Sequence, residues 1–413
     1  MTTGSRRPWL GLPWPVWLLG GVSLLTDAAT EAIYPLLPFF LTQVLGAGAV
    51  SLGVIEGVAE ATSSILKIVS GRLSDRWNRR KPIIIAGYGF SSLARPFISL
   101  ATTWPAVFLL RFLDRVGKGI RGAPRDAMLA GLAEPATRGR VYGFHRAMDN
   151  AGAVVGPLLA TLFLLAYPSR YRTLFALTAF PGAAAVLLLF FLPESSQVAV
   201  TTRRPAGSSA DARPEAIPAG RSPAWSALPR ALNRYLLVLL IFTLGNSTDA
   251  FLLLRLTDVA GGPRFIPLLW ALLHVVKSSL SMAGGALSDR LGRRTLIAAG
   301  WVVYAIVYAG FAVSDSMPAL VTWFLVYGVY FGLVEGTERA LIADLAPPAL
   351  RGTAFGVYNA VTGVGALLAS VVFGLIWNTF GVTAAFGSGA ALALLATVLL
   401  FVLVPMPSEV TPP

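Results

Sequence analysis

Gly71-Arg72-Leu73-Ser74-Asp75-Arg76-Trp77-Asn78-Arg79-Arg80-Lys81 returns later in the chain as Gly285-Ala286-Leu287-Ser288-Asp289-Arg290-Leu291-Gly292-Arg293-Arg294, 214 residues on from Gly71 to Gly285. A second pair keeps almost the same offset: Pro135-Ala136-Thr137-Arg138-Gly139 recurs as Pro348-Ala349-Leu350-Arg351-Gly352, 213 residues from Arg138 to Arg351. Two separate segments sharing an offset of half the chain indicate a duplicated half. In both copies the first motif is a charged knot between two long apolar runs.

The chain is 55% hydrophobic and 13% charged with a mean hydropathy of +0.69, against about 25% charged residues in an ordinary soluble domain. A soluble core of this size cannot consume that much apolar surface. A lipid bilayer can, because one spanning helix takes about 20 apolar residues. The net charge of +13 does not signal nucleic-acid binding, since the basic residues sit in short loops between apolar runs and form no single patch. There is no cysteine and only two histidines, on separate apolar runs, so no disulfide, thiolate metal site or other metal centre is expected. No G-x-S-x-G, H-E-x-x-H or G-x4-G-K-[ST] signature is present, which argues against the corresponding enzyme classes. No cleavable signal peptide is expected, because Trp9 to Leu45 is too long, carries acids and lacks a small-residue cleavage site.

Apolar runs between breakers give twelve candidate spans, at roughly 14–45, 49–70, 82–101, 104–132, 140–167 and 171–192, then 232–259, 264–286, 295–313, 318–345, 353–378 and 382–404. The expected fold class is therefore an all-α membrane protein, twelve transmembrane helices in two pseudo-symmetric six-helix bundles, 1–192 and 231–413. Residues 193–230 are rich in Pro, Ser, Ala and Arg without apolar periodicity, and read as a cytoplasmic linker. Lys and Arg concentrate near the termini and in the even-numbered connections (Arg6, Arg7, 72–81, Arg138, Arg140, the linker, 290–294), whereas the turns at 46–49, 102–103, 314–317 and 378–381 carry none. Arg170, Arg172 and Arg264 dissent. The bias predicts that both termini are cytoplasmic.

Charged side chains within such spans cost about 2.5–3.5 kcal/mol each at the bilayer centre on insertion scales, so they normally face protein or a wet cavity. Asp27 lies thirteen residues after Trp14, about 20 Å along a helix, and Glu31 follows one turn later. Glu56 and Glu60 repeat the i, i+4 spacing on span 2. Arg111, Asp114, Arg115 and Lys118 form one polar stripe on span 4. Span 5 adds His145, Arg146 and Asp149, and the second half contributes Asn246, Asp249, Arg255, His274, Lys277 and Glu335.

Twelve spans in two repeats, with G-x-L-S-D-R-x-x-R-R after spans 2 and 8, resemble the major facilitator superfamily. The run Thr26-Asp27 to Glu31-Ala32-Ile33-Tyr34-Pro35-Leu36-Leu37-Pro38, with Gly117-Lys118-Gly119-Ile120-Arg121 and Pro124-Arg125-Asp126-Ala127, resembles a bacterial branch of it. Asn78 stands where the family usually has glycine, a change that Asn tolerates because it also visits left-handed backbone. The resemblance implies a bacterial cytoplasmic (inner) membrane location. It also implies a cytoplasmic gate built from Gly71, Asp75, Arg76, Arg79 and Arg80, and from Gly285, Asp289, Arg290 and Arg293. Asp75 is expected near the start of span 11 and Asp289 near the start of span 5, where a carboxylate favours the positive helix end. Spans 1, 4, 7 and 10 line the central cavity in this family, with 2, 5, 8 and 11 beside it. Asp27, Arg111, Asp114, Arg146, Asp149 and Asp249 are thus expected to converge there. Purely structural pairing of these charges is the alternative.

Gly143-x8-Gly152-x3-Gly156-Pro157 on span 5 resembles the antiporter motif of drug/proton exchangers, with Ala160 and Thr161 replacing its last two glycines. Arg111-Phe112-Leu113-Asp114 resembles the span 4 arginine motif that the family links to proton transfer, with Arg115 in place of glycine. Asp27 and Asp114 are the favoured proton carriers, with Glu31, His145 and His274 as further titratable groups. The expected function is a proton-coupled antiporter exporting small organic molecules by alternating access. It would work as a monomer in the lipid bilayer, driven by the proton gradient without a cofactor. The cationic stripe on span 4 suggests a second possibility, a proton symporter importing an organic anion or metal chelate.

Overall fold

The computed structural model describes residues 12–77, 80–132, 138–193, 228–347 and 350–404. Among them there is no strand; every long element is an α-helix. The first half holds α1 (Trp14–Ile33), α2 (Leu37–Phe39), α3 (Ala49–Trp77), α4 (Arg80–Ala94), α5 (Trp104–Leu132), α6 (Arg138–Ala166), α7 (Tyr171–Leu177) and α8 (Ala179–Phe190). The second holds α9 (Arg230–Gly245), α10 (Ala250–Ala260), α11 (Ile266–Leu291), α12 (Arg293–Val313), α13 (Met317–Leu345) and α14 (Arg351–Leu403). Nine described segments are long and apolar enough to cross a membrane. The helix α5 is as long as a crossing but is heavily charged, and α11 is also as long as a crossing, with its described apolar stretch at Ile266–Leu280. Most of the linker lies outside the described residues.

Irregular points have local causes. Pro35 and Pro38 each lack an amide hydrogen, so the chain after α1 passes through a 3-10 turn at Tyr34–Leu36 and a π turn at Phe40–Val44. It then stops at Gly46, whose φ of 66° lies in the left-handed region that favours glycine. Gly381, with φ 86°, breaks α14 into two runs, at the turn expected between the last two spans.

The predicted single span at 232–259 is interrupted. Asn246 leaves helical geometry (φ −96°, ψ 82°) and α10 resumes only at Ala250. The sequence Asn246-Ser247-Thr248-Asp249 explains this, because such side chains offer the backbone local partners in place of the helical ladder. The freed groups are satisfied: Ser370 Oγ accepts from the Thr248 amide at 3.2 Å, and the Tyr304 hydroxyl donates to the Gly245 carbonyl at 2.9 Å.

Two bundles result, and their main long-helix contacts are α3 on α14 and α6 on α11. The repeat maps α3 onto α11 and α6 onto α14, so the two contacts exchange with each other under the duplication. Glycine lets the helices touch. A Cβ on Gly53 would land on the Ser370 carbonyl, and one on Gly374 would come within 2.8 Å of the Ala49 carbonyl.

Candidate functional site

The halves meet most closely at the end where the 46–49 turn lies. The Tyr34 hydroxyl is 3.3 Å from Thr248 Oγ1, and its ring centroid is 5.0 Å from that of Trp270. Trp270 Nε1 donates to Glu31 at 2.8 Å, tying α1 to α11. Toward the end with the basic loops the interior opens, and a Cβ on Gly336 or Gly356 would meet nothing within 4 Å. Between these ends lies a cavity of about 560 Å³.

Of the predicted cavity residues, Glu31, Glu56, Glu60, Arg115 and Lys118 line this space from the first half, and Asn246, Asp249, His274 and Glu335 from the second. Asp27, Arg111, Asp114, Arg146 and Asp149 are not among its lining residues. Arg111 and Asp114 instead belong to a buried lattice of charge that borders the cavity through Glu56. Arg111 grips Glu56 with two nitrogens, Nη2 at 2.7 Å from both oxygens and Nε at 3.0 Å from Oε1. Asp114 accepts from Arg95 Nε at 3.1 Å and lies 3.6 Å from Arg111 Nη1. Arg95 also donates to the Thr26 carbonyl at 3.2 Å, and all four charged side chains are almost fully buried. This lattice clamps α1, α3, α4 and α5 together. Asp114 is thereby held by two arginines away from the cavity, and its expected place on the cavity wall is corrected.

Asp149 accepts from the Ser23 hydroxyl and has His145 Nδ1 at 3.6 Å. Asp27, one turn from Ser23 on α1, has no hydrogen bond or ion pair among the described residues, with Lys118 and Arg121 as its cationic neighbours. Arg146 crosses between halves to Glu335 at 2.6 Å. Gly152 and Gly156 press α6 onto α1, where a Cβ would strike the Leu24 and Ala28 carbonyls. Pro157 sits inside α6, while the side-chain surroundings of Gly143 lie outside the described residues.

The gate motifs are described only in part. Gly71, Asp75 and Arg76 fall in α3, and Gly285, Asp289 and Arg290 in α11, but their side chains lie outside the described residues, as does Arg79 altogether. Arg80 donates to the Ala127 carbonyl at 3.0 Å, and Arg293 Nε lies 3.3 Å from Asp344 Oδ2. Each of these two arginines therefore bonds within its own half.

The second-half wall is aromatic to a degree the sequence reading did not anticipate. Phe242 stacks on Trp301 at 4.5 Å, Tyr304 on Tyr308 at 4.1 Å and Tyr327 on Tyr330 at 5.6 Å. Their polar tips hold the acids and the helix break. Tyr327 donates to Asp249 at 2.7 Å, and Asn246 donates to the Tyr330 hydroxyl at 3.2 Å. Glu338, Arg95 and this tyrosine cluster were missed. The only available signal was Glu338 following Glu335 by three residues, one turn on the same face.

The sequence profile of the Major Facilitator Superfamily matches residues 17–276 and 262–413. An uncharacterized MFS-type transporter of Methanocaldococcus jannaschii is 32% identical over 394 residues, covering 93% of this chain and 94% of that protein. The multidrug resistance protein MdtH of Photorhabdus laumondii is 24% identical over 373 residues, 86% of this chain and 85% of that protein. The crystal structure of a D-xylose-proton symporter superimposes with a TM-score of 0.72 at 16% identity, covering 94% of this chain and 97% of the other.

Proposed function

Because the chain belongs to the major facilitator superfamily and is a multi-pass membrane transporter rather than an enzyme, we propose that it is a proton-coupled antiporter exporting small organic molecules. The observation that carries this is the cavity itself. It is closed at one end by glycine-lined helix contacts, open at the other, and walled by both carboxylates and aromatic faces. Aromatic rings bind the apolar body of an organic molecule without requiring one exact shape. Carboxylates on the same wall can exchange a proton for a substrate. The multidrug resistance protein MdtH among the relatives favours export.

Counting α5, α11 and both runs of α14 as crossings, the chain spans the bilayer twelve times, with its termini and basic loops in the cytoplasm. The open end of the cavity then faces the cytoplasm, the side from which an exporter loads. Rocking of the two bundles about the cavity would expose it alternately, powered by the proton gradient with no cofactor. The carrier acts as a monomer in a bacterial cytoplasmic membrane. The Asp75 and Asp289 motifs would latch its cytoplasmic face shut in the opposite state.

Import by proton symport is the competing proposal, favoured by Arg115, whose buried Nε has no partner, and by Lys118 beside it on the wall. Everted membrane vesicles with an acidified interior separate the two. Adding an exported compound should dissipate the acid interior of vesicles carrying this protein, and an unchanged gradient across a panel of toxic organic compounds would sink the antiporter.

A further inference from the structure

Glu335 and Glu338 lie three residues apart on α13, and their partners differ in kind. Glu335 takes Arg146 at 2.6 Å and has Arg339 3.8 Å from the same oxygen. Glu338 is 6% exposed, and its partners are neutral: Trp301 Nε1 at 3.4 Å and the Tyr358 hydroxyl at 3.2 Å. The groups facing it are Trp301 from α12, Tyr358 from α14 and Tyr235 from α9, with Tyr330, Glu335 and Arg339 along its own helix. No cation contacts it within 4 Å among the described residues, and the buried Tyr235 hydroxyl beside it has no hydrogen-bond partner. This is a polar enclosure short of one group.

The enclosure has an aromatic rim. Phe242 lies parallel to Trp301 at 4.5 Å and meets Tyr330 at 5.8 Å. Phe242, Tyr330, Glu338 and Tyr358 all border the cavity. A buried carboxylate served only by neutral donors is costly when ionised, and a cation reaching it relieves that cost. The ring faces are negative, so they favour a diffuse positive charge. A hard metal ion is disfavoured, because it would need several oxygen ligands where one carboxylate is offered.

We propose that Glu338, with the rings of Phe242, Tyr330 and Tyr358, forms a subsite for the ammonium group of an organic cation. The proposal rests on the export function argued above and names the charged end of its substrate.

The test uses the purified full-length protein in lipid nanodiscs, with no gradient imposed. Binding of ethidium, a permanent organic cation, is compared with that of neutral phenanthridine. Wild-type protein should prefer ethidium, and Glu338→Gln should weaken ethidium at least tenfold while leaving phenanthridine within twofold. Phe242→Leu should weaken ethidium several-fold with the same selectivity, and it decides the matter if the glutamine variant is not monodisperse. Ethidium binding that survives both substitutions overturns the subsite, as does a wild-type protein that fails to prefer the cation. Binding through Glu338 without proton exchange in vesicles would instead sink the antiporter alone, while proton exchange with ethidium binding indifferent to Glu338 would sink only the subsite.

Discussion

Glu56 and Asp114 in the first half are answered by arginine, and Asp249 and Glu338 in the second half by phenol and indole. Glu56 and Asp114 sit within 3.1 Å of Arg111 and Arg95 respectively. Asp249 and Glu338 rest on Tyr327, Trp301 and Tyr358. The difference separates two uses of buried charge. A paired lattice neutralises itself, fixes the angle between helices and has little left to offer a ligand. An acid held by neutral donors has no fixed counter-charge and is free to take up a proton or a cationic ligand. Part of the first half is thus built as a frame, while Glu31, Glu60, Arg115 and Lys118 join the second half's Asp249 and Glu338 on the cavity wall.

The largest break in that contrast comes from Arg111. Substituting alanine removes the cation shared by Glu56 and Asp114 and leaves Glu56 buried without a counter-charge. Removing one partner of a buried pair costs about 3–5 kcal/mol. Arg111→Ala should therefore lower the thermal unfolding temperature sharply, or prevent accumulation in the membrane. Adding Glu56→Gln should restore part of the loss, because the stranded charge is gone. A melting temperature equal to wild type would mean that the lattice bears no structural weight.

How much of this contrast was legible in the sequence depends on which residues need a distant partner. Span positions were legible because hydropathy is a local property, and the polar stripe from Arg111 to Lys118 was legible because helical periodicity is too. Pairing was not. Arg95 stands between Ala94 and Pro96 at the end of α4, where an arginine reads as a topology signal, yet it turns inward to Asp114 on α5. That choice made Asp114 part of the frame although its sequence motif pointed to the cavity. Glu338 falls near the basic end of α13 and reads as a helix-end charge, while the tyrosines around it read as ordinary apolar filling. The helix break at 246–249 had a readable cause in its run of Asn, Ser, Thr and Asp, outweighed by the apolar residues on either side.

A smaller effect should come from Tyr327→Phe. The substitution keeps the ring stacked near Tyr330 and removes only the donor to Asp249. A hydrogen bond to a charged group contributes about 1.5–3 kcal/mol, and the cavity beside Asp249 lets water replace part of it. The expected loss of stability is about 1–2 kcal/mol, read by thermal unfolding in detergent, with a larger proportional fall in transport. If both quantities match wild type, the phenol does not hold the acid, and the claimed division between the halves loses one of its two supports on this side.

The smallest effect is expected at Glu335, where the contrast between halves is deliberately crossed: its main partner, Arg146, comes from the first half. Both side chains remain accessible, 57% for Arg146 and 31% for Glu335, so the pair is screened and contributes under about 1 kcal/mol. Glu335→Gln should leave the melting temperature nearly unchanged, and the little that is lost should vanish in high salt. Its consequence lies in the balance between conformations, because this contact bridges the bundles toward the open end of the cavity. A spin-label distance between α6 and α13 should broaden toward larger separations in the variant at low salt and match wild type at high salt. A distribution indifferent to both the substitution and the salt would show that the bridge forms without governing how far the two bundles part.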